Sequence, residues 1–202
     1  AGERVLDCAE SGSTLRFLLP VACALGAGAT FGMGGRLPSR PLSPLYEELT
    51  GHGCALSMAG KSQLYTGGQL MGGRYRIPGN ISSQFISGLL LALPLLKEDS
   101  LIAVGGVVES RPYVDMTLVC LKTFGIVVKT NTHSFAVPGN QRYVASGALA
   151  VEGDWSNAAF WLSLGAVGDG SVAVTGLDPS SPQGDKAILT FLGRFGARVS
   201  AD

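Results

Sequence analysis

The sequence predicts an α/β (α+β) fold assembled from repeated strand-helix-strand-helix-strand-strand units, with the helices buried and the sheets outside. Three observations carry that prediction. Look-alike segments recur at one fixed step, the first helix of each unit is apolar on every face, and glycines stand where helices must end.

The repeat is clearest at Leu49–Leu56, Leu121–Val128 and Leu192–Val199, each reading as the end of an amphipathic helix, a C-cap glycine and a strand. The glycines fall at 53, 125 and 196, steps of 72 and 71. Helices that open with serine start near Ser11, Ser82 and Ser156. Strand-like runs follow at Ala29-Thr30-Phe31, Leu101-Ile102-Ala103-Val104 and Val172-Ala173-Val174. Next come the turns Arg40-Pro41, Arg111-Pro112 and Gln183-Gly184-Asp185, each leading into a second helix.

The segments Leu15–Leu25, Phe85–Leu96 and Ala158–Val167 carry almost no polar residue, so the helices they form are expected to be buried. Pro20 and Pro94 should kink or end two of them, because proline lacks the N–H that the helix ladder needs. A change of composition at Ser146-Gly147-Ala148, before Val151-Glu152-Gly153-Asp154, marks a domain crossing. Two units are expected in residues 1–148, and the first part of a second domain in 149–202.

Composition narrows the function classes. With 46% hydrophobic and 15% charged residues the chain has the material for a core, which excludes a disordered segment. Fifteen Lys and Arg balance fifteen Asp and Glu, so no general nucleic-acid surface is expected and any anion site must be local. The longest apolar run, Gly88–Leu96, is too short to span a bilayer, and no signal-peptide pattern opens the chain. The cysteines at 8, 23, 54 and 120 show no metal-ligand spacing and read as reduced thiols.

The polar residues gather at helix starts and at the turns before helices. Ser11-Gly12-Ser13-Thr14 and Ser82-Ser83-Gln84 present hydroxyls and free backbone amides, which suit an anion and equally an ordinary N-cap. Arg16, Arg36, Arg40 and Arg111 are candidates to grip carboxylate or phosphate through a planar fork. Asp185 stands where the other units have Arg40 and Arg111, and reads as an N-cap or as a general acid or base; Glu109, Asp115 and Asp154 are weaker candidates. His52 and His133 lie in no nucleophile or metal setting, and no stretch fits a P-loop or dinucleotide fingerprint.

Taken in order, Glu10–Arg16, Arg36–Leu42, Gly79–Phe85, Ser110–Tyr113, Val151–Asp154 and Gln183–Asp185 resemble the 5-enolpyruvylshikimate-3-phosphate synthase family along the whole chain. The resemblance implies the enolpyruvyl transferase-like inside-out barrel, two domains of three units each, with nearly three of the six present here. It implies transfer of the enolpyruvyl group of phosphoenolpyruvate to the 5-hydroxyl of shikimate 3-phosphate, with release of phosphate, through a tetrahedral intermediate and without metal or organic cofactor. Ser82, Ser83 and Ser110 would hold the phosphate of shikimate 3-phosphate, with Tyr113 lining its pocket. Gly12 and Arg40 would contact phosphoenolpyruvate, and Gln84 would lie between the two substrates. Asp185 would accept shikimate hydroxyls and take part in proton transfer, while Arg16, Arg36 and Arg111 support the site. Glyphosate sensitivity, a monomeric intact enzyme and a bacterial cytoplasmic location, with a plastid second, complete the expectation.

The family's early lysine motif and its later acidic, arginine, histidine and lysine elements are expected outside the 202 residues, so the chain alone should have little turnover. The rival within the fold is the UDP-N-acetylglucosamine enolpyruvyl transferase, whose reactive loop cysteine has no counterpart here. A non-catalytic binding or structural fragment is the reading from another class.

Overall fold

The computed structural model describes residues 4–145 and 147–200, and the chain divides into two compact units, Ala1–Ala145 and Ser146–Asp202. The crossing expected at 146–148 begins on Ser146, which lies outside the described residues.

In the first unit, β1 (Val5–Asp7), α1 (Gly12–Ala24), β2 (Ala29–Gly32), α2 (Leu45–Gly51), β3 (Cys54–Ala59) and β4 (Gln63–Gly68) run in the predicted order. That order returns in β5 (Arg74–Pro78), α3 (Ser83–Ala92), β6 (Ser100–Gly105), α4 (Arg111–Thr123), β7 (Lys129–Asn131) and β8 (Ser134–Val137). Each half makes a four-stranded sheet of one design, β1-β2-β4-β3 and β5-β6-β8-β7. The first two strands of each are parallel and the rest antiparallel. A parallel neighbour requires a crossover, which α1 and α3 supply.

Each helix end can be read from its residues. Ser11 caps α1, its Oγ accepting from Thr14 N at 3.2 Å, and Ser82 caps α3, its Oγ accepting from Gln84 N at 3.3 Å. The repeat glycines Gly53, Gly125 and Gly196 all sit at positive φ, 96°, 77° and 92°, two residues beyond α2, α4 and α6 (Ile188–Arg194). A Cβ would be strained there, which is why this position carries the period so cleanly.

The apolar α1 and α3 pack on each other in the core. Leu19, Phe85, Ile86, Leu89 and Leu90 have no exposed surface. Strands alternate as one-sided sheets should: Tyr75 and Ile77 of β5 face the core while Arg74 and Arg76 face solvent. Pro94 ends α3, which passes at Leu93 into a 3₁₀ turn. Pro20 lies inside α1, which continues to Ala24. Because Pro20 cannot donate to the carbonyl of Arg16, that oxygen is left for a neighbour, and Gly88 of α3 lies against it. A Cβ on Gly88 would come within 2.1 Å of Arg16 O and 3.2 Å of Pro20 Cγ, so glycine permits this close crossing.

The second unit contains α5 (Trp155–Val167), a 3₁₀ turn Gly184–Ala187 and α6. Here three expectations are corrected. The cap of α5 is Asp154 rather than Ser156; Asp154 Oδ1 accepts from Ser156 N at 2.8 Å. The runs 172–174 and 197–199 form no ladder among the described residues, because a strand-like sequence makes a strand only where a partner closes the hydrogen bonds. The helix expected to be buried is largely exposed: Phe160 is 77% and Val167 85% accessible, with only Trp155 and Ala158 buried. The unit's signature bond nevertheless survives. Gly153 N donates to Gly176 O at 2.8 Å, as Cys8 N does to Gly32 O at 2.8 Å and Gly79 N to Gly105 O at 2.8 Å.

Candidate functional site

The starts of α1, α3 and α4 bring serines and arginines to an open cleft of about 880 Å³ in the first unit, within the range of small-molecule sites. Seven residues singled out in the sequence line it: Arg16, Arg40, Ser82, Ser83, Gln84, Ser110 and Tyr113. Ser82 and Ser110 are the N-caps of α3 and α4, and Ser83 is the first residue of α3. Ser110 makes no side-chain capping bond, in contrast to Ser82. Each start adds partly positive backbone amides to its hydroxyl.

Gly12, first residue of α1, meets the cleft through the arginines beside it. The point a Cβ would occupy there is 2.6 Å from Arg40 Nη1 and 3.1 Å from Arg16 Nη1, so both guanidinia converge on it. Arg16 is only 5% exposed, and Arg40 is exposed. Burial first, and then the charge of Arg40, push the Arg16 pKa down from its ordinary value. Among the described residues no carboxylate pairs with either guanidinium. Two cations held together without a counter-ion raise each other's free energy, and a bound anion relieves that repulsion.

Arg40 is presented by the predicted stiff loop. Leu37–Ser39 makes a 3₁₀ turn with Pro38 in its first turn, closed by Ser39 Oγ donating to Arg36 O at 2.8 Å. Arg36 is exposed and its backbone N–H reaches Glu10 Oε2 at 3.4 Å, making it part of the loop's anchorage. Arg111 is matched locally, its Nε donating to Asp115 Oδ1 at 2.7 Å, which places both residues in an ordinary helix-surface ion pair. Asp154 acts as the α5 cap, and Glu109 stands exposed in the turn before α4.

Asp185 belongs to the second unit, in the 3₁₀ turn before α6. Ser156 Oγ donates to Asp185 Oδ2 at 2.7 Å. Gln183 fixes the start of that turn, its Oε1 accepting from Trp155 N at 2.9 Å and its Nε2 donating to Gly153 O at 2.9 Å.

Ser13 of the Ser11–Thr14 helix start also lines the cleft, as do Ser87, Thr117 and Cys120, which were not among the sequence candidates. Ser87 bonds Thr117 at 2.7 Å between α3 and α4. Its signal was present: a serine inside an otherwise apolar helix must find a buried partner.

Among the described residues no group of His, Cys, Asp and Glu could hold a metal ion, and no helix is long and apolar enough to cross a membrane.

The family model for EPSP synthase (3-phosphoshikimate 1-carboxyvinyltransferase) matches residues 1–202. A 3-phosphoshikimate 1-carboxyvinyltransferase of Clostridium perfringens is 44% identical over 198 residues, 97% of this chain and 46% of the relative. One of Clostridium kluyveri is 42% identical over 196 residues, 96% of this chain and 46% of the relative. The solved structure of an EPSP synthase from Acinetobacter baumannii is similar in fold, with a TM-score of 0.71 at 24% identity, covering 96% of this chain and 43% of that one. The chain spans about half the length of the curated relatives it matches.

Proposed function

The chain belongs to the EPSP synthase family, and we propose that it is the part of such an enzyme that binds shikimate 3-phosphate and the anionic end of phosphoenolpyruvate. The observation that carries the proposal is the convergence of Arg16 and Arg40, without a carboxylate partner among the described residues, beside the serine-capped starts of α3 and α4. The UDP-N-acetylglucosamine enolpyruvyl transferase reading is disfavoured by the family match.

In the complete reaction the 5-hydroxyl oxygen of shikimate 3-phosphate gives up its proton to a base and bonds to C2 of phosphoenolpyruvate while C3 gains a proton. Loss of that proton and of phosphate then restores the double bond. The roles proposed for this chain are binding and charge. Ser82 and Ser83 at the start of α3 and Ser110 at the start of α4 donate to the phosphate of shikimate 3-phosphate. Tyr113 walls the ring's pocket, and Gln84 stands at the junction of the two ligands. Arg40 takes the phosphoenolpyruvate anion, Gly12 leaving it room. Asp185 accepts a shikimate hydroxyl and moves a proton, held by Ser156. The proposal extends to a monomeric intact enzyme in the bacterial cytoplasm.

Calorimetric titration of the chain with shikimate 3-phosphate tests this reading. Saturable binding is expected, weakened about 10- to 100-fold by Ser82→Ala, the scale of one hydrogen bond to a charged group. Arg40→Ala should leave it largely intact. No binding by the folded wild-type chain would refute the proposed ligand.

A further inference from the structure

Arg16 is the one charged side chain among the buried described residues, at 5% exposure. Its guanidinium is divided between two unlike acceptors. Nη1 donates to Gln84 Oε1 at 2.7 Å and Nη2 to Pro41 O at 2.9 Å. Its Cζ lies over the Phe85 ring, 5.3 Å from the centroid. One planar fork on α1 therefore joins the first turn of α3 to the loop that presents Arg40.

We infer that Arg16 is a positioning residue that fixes the Gln84 amide and the Arg40 loop in their binding orientation, an inference that rests on the ligand reading above. A guanidinium can only donate, so the amide atom facing it must be oxygen. The NH2 half of Gln84 is thereby committed to the cleft, and among the described residues nothing accepts from it. That orientation is the useful one, because phosphate and carboxylate oxygens are acceptors. Turned by half a rotation, the same amide would offer oxygen to an anion. The second bond, to Pro41 O, holds the residue that follows Arg40, so the Arg40 guanidinium starts from a restrained backbone.

The fork, rather than the charge, makes the link. A lysine at 16 would keep a cation near the cleft but could not place two donors in one plane toward Gln84 and Pro41. This separates positioning from a purely electrostatic role.

The test is a double-mutant cycle in the whole chain, read by calorimetric titration with shikimate 3-phosphate, each variant's fold being checked by thermal melting. Arg16→Lys and Gln84→Leu should each weaken binding about tenfold or more, the scale of one hydrogen bond to a charged group, and the double variant no further than the weaker single one. Wild-type affinity in Arg16→Lys would overturn the inference, since charge alone would then suffice. Additive losses would overturn it too, because Arg16 would then act independently of Gln84. A folded wild-type chain that does not bind refutes the ligand reading itself, and this inference falls with it; that outcome is visible before any variant is made. Gln84→Glu keeps an oxygen for Arg16 and replaces only the NH2 donor, so it stands in should Arg16→Lys not fold. It should melt no lower than wild type while binding shikimate 3-phosphate at least about tenfold more weakly, and unweakened binding would overturn the assigned amide orientation.

Discussion

Replacing Gly88 with alanine should pull α1 and α3 apart, although alanine is the better helix former. The new Cβ would stand 2.1 Å from the carbonyl oxygen of Arg16 and 3.2 Å from Pro20 Cγ. Carbon and carbonyl oxygen settle at about 3.3 Å or more, so the helices must separate by roughly 1.2 Å. The obstacle is backbone, and no rotamer change relieves it. Overpacking of this kind costs about 3 kcal/mol at the upper end of the usual range, and the gain in helix propensity returns about 1 kcal/mol. The net loss of about 2 kcal/mol lowers Tm by about 4–8 °C for a chain of this size. Calorimetric melting of the two proteins measures it. Because the displaced atom belongs to Arg16, shikimate 3-phosphate affinity should fall with stability. A Gly88→Ala protein that melts at or above wild type would refute the close crossing and the account of Pro20 built on it.

Gly12→Ala should behave in the opposite way. The nearest atom, 2.6 Å from the new Cβ, is Arg40 Nη1 at the end of a flexible side chain, so Tm should hold while phosphoenolpyruvate affinity in the presence of shikimate 3-phosphate falls. Alkylation of the native chain followed by mass spectrometry should label Cys120 first, since Cys8, Cys23 and Cys54 are buried. Shikimate 3-phosphate should slow that labelling, because Cys120 lines the cleft. The Tyr143 phenol, which donates to Leu91 O at 2.7 Å, is pushed up to about 12 by burial and then by Cys120. Its folded pKa thus lies above the unfolded value, and the stability it contributes is lost as pH rises from about 10 toward 12. The effect is modest because 36% of the residue is exposed, and denaturant midpoints of Tyr143→Phe should fall less than those of wild type across that range.

What could be read from the sequence was whatever a single backbone position dictates. Gly53, Gly125 and Gly196 announced the period because positive φ leaves little choice of residue, and Ser11 and Ser82 announced helix starts because unpaired amides need an acceptor. The cleft's serines followed, lying at those same starts. What could not be read was whatever depends on a distant partner. The bond from Arg16 to Gln84 spans 68 positions and leaves no spacing to detect. Arg111 looked like Arg40 in the sequence, yet Asp115 neutralises it. The run 172–174 is as apolar as Leu101–Val104, and among the described residues only the latter has a strand on each side to complete a ladder.

The repeat also bears on how one scaffold would hold the asymmetric pair of anions proposed for it. Gly12 and Ser83 both open the first helix of their half, and Arg16 and Ser87 both lie four residues further on. The backbone offers the same geometry twice, and the side chains divide the work. The opening glycine leaves space where the two guanidinia converge, whereas the opening serine adds a hydroxyl to the amides of α3. At the second position, Arg16 reaches from α1 to Gln84 of α3, and Ser87 reaches from α3 to Thr117 of α4 at 2.7 Å. In both halves a polar side chain on the buried helix ties it to the next helix. A hydroxyl is enough where the neighbour comes within hydrogen-bond distance of the helix, and a long fork is needed where the link must also catch the Pro41 loop. Exchanging the two residues, Arg16→Ser with Ser87→Arg, should therefore abolish binding. The short hydroxyl would lose Gln84 and Pro41, and a guanidinium at position 87, which is 2% exposed, would displace the hydroxyl that ties α3 to Thr117 of α4.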